Sequence, residues 1–347
     1  MSFMALLDLP AGLILHVMDY VGSTYFHQDS RRLTVCKEWL KYALPASYKA
    51  NSVSQSSLRC LLDTPDVSHT LTSIKAALDT LSIVVPGNER PNHPAPNNAD
   101  QLESINSSEN EFAGSVPAFF DTDLARLART TKEARKLRCL QIHAPSNLES
   151  AVSQPFRHNI LRNSTIHAFL SAENLTSLNI DLCGRSLKSS PEGGEHMCHS
   201  IGNLLASLTR LRLRMRCICI YALTPLKYAT NLRLTEVIVN LSLYVELLVP
   251  RSAAHATPCT GGGRLKLRND VEEQATDLLD RMTTPEKVRV LTHTLPEFNM
   301  RSLDVLTGRY MELEEGADWA DDSQAIVDDV DSESDILSVD SAISSST

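Results

Sequence analysis

One apolar pattern returns along most of this chain: an aliphatic residue, two others, a second aliphatic, one other, a third aliphatic. It reads Leu78-x-x-Leu81-x-Ile83, Leu137-x-x-Leu140-x-Ile142, Leu175-x-x-Leu178-x-Ile180, Leu208-x-x-Leu211-x-Leu213, Leu234-x-x-Val237-x-Val239 and Met300-x-x-Leu303-x-Val305, with Val288-x-Val290 as a partial copy. The alternation that ends each copy predicts a short strand with one buried face. Helix-like stretches such as 119–136 and 195–206 lie between copies. A unit of one strand and one helix cannot bury its apolar side alone, so the units are expected to stack on one another. Among the first five copies the spacing runs from 26 to 59 residues. Polar inserts at 86–117, 184–194 and 250–263, rich in Pro, Asn, Gly and Ser, account for part of this irregularity and read as surface loops or disorder.

The first 48 residues have a different, purely helical pattern. Leu13, Ile14, Val17, Met18 and Val21 make an apolar stripe at helical spacing, and Pro10 stands where a helix start tolerates proline. Asp29 or Ser30 can cap a second short helix. Cys36, Trp39, Leu40, Ala43 and Leu44 recur at three- and four-residue steps on a third. Three helices this short bury their apolar faces poorly, and such a module usually completes its core against a partner. Leu9, Pro10, Leu13, Ile14 and Val17, followed by Leu33, Val35, Cys36, Lys37 and Trp39, together resemble an F-box. Gly12 stands where that family usually has Glu, and the stretch 22–32 is longer and more polar than usual. The resemblance implies docking onto the linker subunit of a cullin-type (SCF) ubiquitin ligase, and through it onto the cullin. Leu9, Pro10, Leu13, Ile14, Val17, Leu33, Val35, Cys36 and Trp39 would be the contact residues.

The repeated triplet resembles leucine-rich repeats, and Cys183 falls where those repeats place Asn or Cys. An F-box followed by degenerate repeats is similar to the layout of many filamentous-fungal F-box proteins, as is the closing phrase from Leu306 to Trp319. The expected fold class is therefore α+β: an all-helical module at 1–48, then an irregular repeat-like α/β array at 49–317. A disordered acidic tail at 318–347 would follow. The expected role is recruitment of a protein substrate to the ligase. A repeat-domain scaffold acting outside a cullin ligase is the alternative.

Charge refines the picture of what the array could bind. The net charge of −9 is uneven: twelve acids and no base lie from Glu312 onward, leaving 30 acids against 33 bases elsewhere. Neither part has the basic stripe of a nucleic-acid binder. No secretory signal or run of ~18 apolar residues is visible, so an intracellular location with reduced thiols is expected, away from membranes. Arg210, Arg212, Arg214 and Arg216 alternate with Leu211, Leu213 and Met215. On a strand the arginines would line the face opposite the core. Gln141, His143, Asn179, Asp181, Lys287 and Arg289 would flank them. That face is a candidate site for an acidic or phosphorylated segment, because guanidinium pairs two oxygens at once. The acidic tail could compete for it within the same chain.

Enzymatic signals are poor. The stretch 258–264 is Gly-rich but lacks the spacing of a phosphate loop, and neither GxSxG nor HExxH occurs. His196, Cys198, His199, Cys217 and Cys219 offer five soft ligands. Zinc sites usually show tighter paired spacing, and Cys217 and Cys219 on one strand face would suit core packing. No metal, no cofactor and no bond chemistry are expected.

Overall fold

The apolar triplets become neighbouring strands of one sheet. The computed structural model describes residues 6–85, 115–144, 162–182, 196–243, 255–259, 263–294, 299–314, 319, 321 and 324–325. Its elements run α1 (Ala11–Gln28), α2 (Lys37–Tyr48), β1 (Ala50–Val53), α3 (Gln55–Leu62), α4 (Val67–Ala77) and β2 (Thr80–Val84). Then come α5 (Ser115–Lys132), β3 (Cys139–His143), α6 (Asn163–Leu170), β4 (Ser177–Leu182), α7 (Met197–Leu204), β5 (Arg210–Met215) and β6 (Cys217–Ile218). The rest is β7 (Glu236–Asn240), β8 (Thr257–Pro258), α8 (Arg264–Leu279), β9 (Lys287–His293), β10 (Met300–Asp304), β11 (Arg309–Glu312) and β12 (Gln324–Ala325). The protein is thus mixed α/β with a mostly parallel sheet, ordered β1-β2-β3-β4-β5-β7-β9-β10-β11-β12, beside a two-stranded sheet of β6 and β8.

Register follows the triplets. Leu81, Leu140, Leu178, Leu211, Val237 and Val288 stand side by side in one ladder. Ile83, Ile142, Ile180, Leu213, Val239 and Val290 form the next, and all twelve are buried. The leading Leu78, Leu137, Leu175, Leu208 and Leu234 are buried beneath them. Helices complete this core with one face each, as with Phe120, Leu124, Leu127 and Ala128 of α5 and Leu267, Val271, Ala275 and Leu278 of α8. A backbone device recurs where strands begin. The carbonyls of Lys49, Asp79, Arg138, Thr176, Thr209 and Thr235, each one residue before its strand, accept two successive N–H groups from the next unit. Units of unequal length thus meet through the same two hydrogen bonds, which is why insert length does not disturb the ladder.

The triplet at Met300 departs from this plan. β10 runs antiparallel to β9, and the partial copy at Val288 supplies the parallel strand instead. A parallel return needs a crossover of about a dozen residues or more. Only residues 294–299 separate β9 from β10, so the chain turns straight back. Ser302 is consequently the buried residue of β10, while Leu303 and Val305 are half-buried.

Three insert and tail boundaries also shift. α5 starts at Ser115, inside the expected insert 86–117. β8 lies inside the expected loop 250–263 and pairs with β6. Trp319 belongs to an apolar cluster with Ile238, Leu291, Leu313 and Met300, and β12 pairs with β11, so the sheet extends beyond 317. The insert at 184–194 and the tail beyond Ala325 lie outside the described residues, as does Cys183. Among the described residues no helix is long and apolar enough to cross a membrane.

Candidate functional site

The N-terminal module has its own small core. Ile14, Met18 and Phe26 of α1 meet Ala43 and Ala46 of α2, with Leu9, Val21, Leu33, Trp39 and Tyr42 packed at the margin. α1 is broken at Gly22, whose φ of 77° is open to glycine and strained for other residues. The break turns Phe26 onto Trp39, with ring centroids 6.4 Å apart. Asp29 accepts a hydrogen bond from the Arg31 N–H and caps a short 3-10 turn (Ser30–Leu33). Cys36 caps α2 by accepting from the Trp39 N–H, and the Trp39 indole donates to the Arg32 carbonyl at 2.6 Å. Both caps satisfy helix-end donors, so Trp39 is held at both its backbone and its ring.

The expected contact residues divide within this frame. Ile14 is buried inside the module, and Leu9, Val17, Leu33 and Trp39 are half-buried. Pro10 and Cys36 are exposed, as are Leu13 at 52% and Val35 at 68%. Leu15 and Tyr20, which the sequence pattern does not single out, are exposed too. On the other side the module joins the sheet without a linker. β1 begins two residues after α2 and packs against it, and Lys49 pairs with Asp19 of α1. The helices thereby cover the first edge strand, the end of an array that otherwise needs a cap.

The second candidate is the sheet face opposite the core. Gln141, Asn179, Arg212 and Arg289 fall in one register row, with Ser82 before them and Ile238 between the two arginines. Asp181 and Arg214 share the next row with His143 and Asn240, and Arg210 stands in the row before. The alternation is therefore as expected, but much of the arginine charge is answered within the protein. Arg214 makes a two-point bond to Asp181, at 2.8 and 2.6 Å, and His143 Nδ1 lies 3.1 Å from the same carboxylate. Burial opposes charge on Asp181. The hydrogen bonds from His143 and Arg214 outweigh it and hold this carboxyl well below the usual range. Trp319 stacks over Arg214, its ring centroid 4.5 Å from Cζ. Arg212 pairs with Glu236, a residue of β7 that the sequence pattern leaves out. Arg289 is buried and donates to the Asp321 carbonyl at 2.6 Å. Arg210 is exposed. The face is thus divided. The end at β7, β9 and β10 is covered by Leu313 and Trp319, while β2 to β4 present half-buried Thr80, Ser82, Gln141, Ser177 and Asn179.

A third constellation lies within the main core. His196 precedes α7 and Cys198 stands in its first turn. Cys219 starts a 3-10 turn (Ile220–Leu223), and Cys259 follows β8. Their ligand atoms all lie within 4.8 Å of one another. α7 reaches this turn closely because Gly202 lacks a side chain: a Cβ there would sit 2.3 Å from the Tyr221 carbonyl oxygen. Of the five soft ligands visible in the sequence, His196, Cys198 and Cys219 come together. His199 stacks on Tyr221 instead, and Cys217 is exposed beside Thr257. Cys259, inside a Gly-rich stretch, is the residue that spacing alone does not reveal.

Comparison with known proteins adds no relative: no family model matches the chain, and no curated protein matches it.

Proposed function

We propose that this protein is a substrate-recruiting subunit of a cullin-type ubiquitin ligase. Its F-box-like module would hold the linker subunit, and its leucine-rich-repeat-like array a protein substrate. The observation that carries the reading is the exposure of Leu13 and Val35 on a module whose own buried core holds five residues. Both belong to the two F-box-like phrases, and exposed aliphatics beside a small core are what a partner would cover. The single-residue step from α2 into β1, with the two elements packed together, also favours the role. An adaptor contributes proximity, raising the effective concentration of substrate lysines near the conjugating enzyme, and proximity needs a fixed span between its two binding surfaces.

The substrate surface is the half-buried polar strip of β2 to β4, bordered by Arg210 and Arg212. Its uncharged amides and hydroxyls favour an extended segment read by hydrogen bonds, with an acidic or phosphorylated residue directed to the arginine border. Affinity purification of the tagged full chain tests the proposal. Linker and cullin together are expected. The linker without cullin would favour the scaffold reading, and absence of both would overturn the assignment.

A further inference from the structure

We propose that His196, Cys198, Cys219 and Cys259 form a structural zinc site that staples α7 to the β6–β8 sheet. Two of the separations match the edges of a zinc tetrahedron, and all four ligand atoms lie within 4.8 Å of one another. With Zn–S near 2.3 Å and Zn–N near 2.0–2.1 Å, tetrahedral angles put two sulfurs about 3.8 Å apart and a sulfur and a nitrogen about 3.6 Å apart. The Cys198 and Cys259 sulfurs are 3.8 Å apart, and Cys219 Sγ is 3.6 Å from His196 Nδ1. A disulfide would need about 2.05 Å. Three thiolates and an imidazole are a ligand set that suits zinc, whereas calcium and magnesium take oxygen.

Buried cysteines often serve simply as small apolar side chains. Two features argue against that use here. An imidazole lies against the thiol cluster, and an apolar pocket would not call for one. The four residues also come from three distant stretches of chain, each carried by a short element: eight residues in α7, four in the 3-10 turn, and two each in β6 and β8. Elements this short gain little from their own hydrogen bonds, so a shared metal would fix them together. The position indicates a structural role. Cys198 and Cys219 are part of the main core and Cys259 packs against it, on the side of the sheet away from the proposed substrate strip.

The test uses the full chain, purified without chelator and analysed for metal. About one zinc per chain is expected. After stripping under reducing conditions, cobalt(II) should bind and give a thiolate-to-cobalt charge-transfer band that the zinc form lacks. Cys259→Ser should lower zinc content about tenfold or more. Cys217→Ser, at an exposed neighbouring thiol, should leave it unchanged. If Cys259→Ser does not fold, the cobalt spectrum of the unaltered chain decides. Absence of that band, equal zinc loss in both variants, or a Cys198–Cys259 disulfide persisting in reductant would each overturn the proposal.

Discussion

Replacing Asp181 with Asn should destabilise the array markedly and in a pH-dependent way. The carboxylate is 7% exposed and Arg214 14% exposed, so the substitution removes the two-point carboxylate partner of a guanidinium that water reaches poorly. Breaking a buried ion pair from one side typically costs about 3–5 kcal/mol. The lower end applies here, because Trp319 still lies against Arg214. At about 2–4 °C per kcal/mol for a chain of this size, a loss of about 3 kcal/mol should drop the melting temperature by roughly 6–12 °C at pH 7. The sign with pH follows from the depressed carboxyl pKa. Asp181 stabilises the fold fully above its unfolded value of about 3.9, and this contribution is lost as pH falls further. The gap between native protein and variant should therefore persist from pH 7 to about 4.5 and narrow below that. His255 and His293 titrate within this pH range but affect both proteins alike, so they cancel. Differential scanning fluorimetry across a pH series reads the gap directly. A difference under about 1 °C at pH 7, or a gap that fails to narrow below about pH 4, would show that the pair does not tether this face.

Other expectations follow from the same packing. Leu178→Ala and Leu211→Ala should each cost about 2–5 kcal/mol in urea unfolding, whereas exposed Arg210→Ala should stay within about 0.5. Equal effects would contradict the register. Gly202→Ala should destabilise by about 2 kcal/mol or more, since its new methyl meets the Tyr221 and Thr224 carbonyls; an unchanged midpoint would mean that α7 does not approach the turn so closely. His255 and His293 stack with centroids 3.7 Å apart. Burial pushes both down to about 4, helped by Arg264 and, for His293, by His255. The unfolded chain therefore takes up their protons first, and stability should fall as pH drops from about 6.5 through 4. A His255→Gln, His293→Gln variant with the same slope in that window would refute this source.

Strand register was legible because leucine spacing reports burial directly: Leu178 and Leu211 alternate with polar residues only if they face a common core. The reversal at β10 was hidden, because the Met300 triplet looks like its predecessors and only the six-residue connection rules out a parallel return. The arginine alternation was legible too, but its neutralisation depends on neighbours distant in sequence. Glu236 sits on the adjacent strand, and Trp319 returns from the C-terminal segment. Cys259 illustrates the same limit, since its meeting with Cys198 is set by how β8 docks on β6. Local pattern thus specifies which face a residue takes, and tertiary contact specifies what it meets there.

The most direct test of the adaptor reading is calorimetric titration of the purified full chain with purified linker subunit. The account predicts a complex with a dissociation constant near or below micromolar, about −8 kcal/mol. A Leu13→Glu, Val35→Glu variant should keep its melting temperature, because both side chains are already exposed. It should bind about 100-fold more weakly or not at all, as expected when central apolar anchors are replaced by charge. No heat from the unaltered chain, or wild-type affinity in the double variant, would contradict the account.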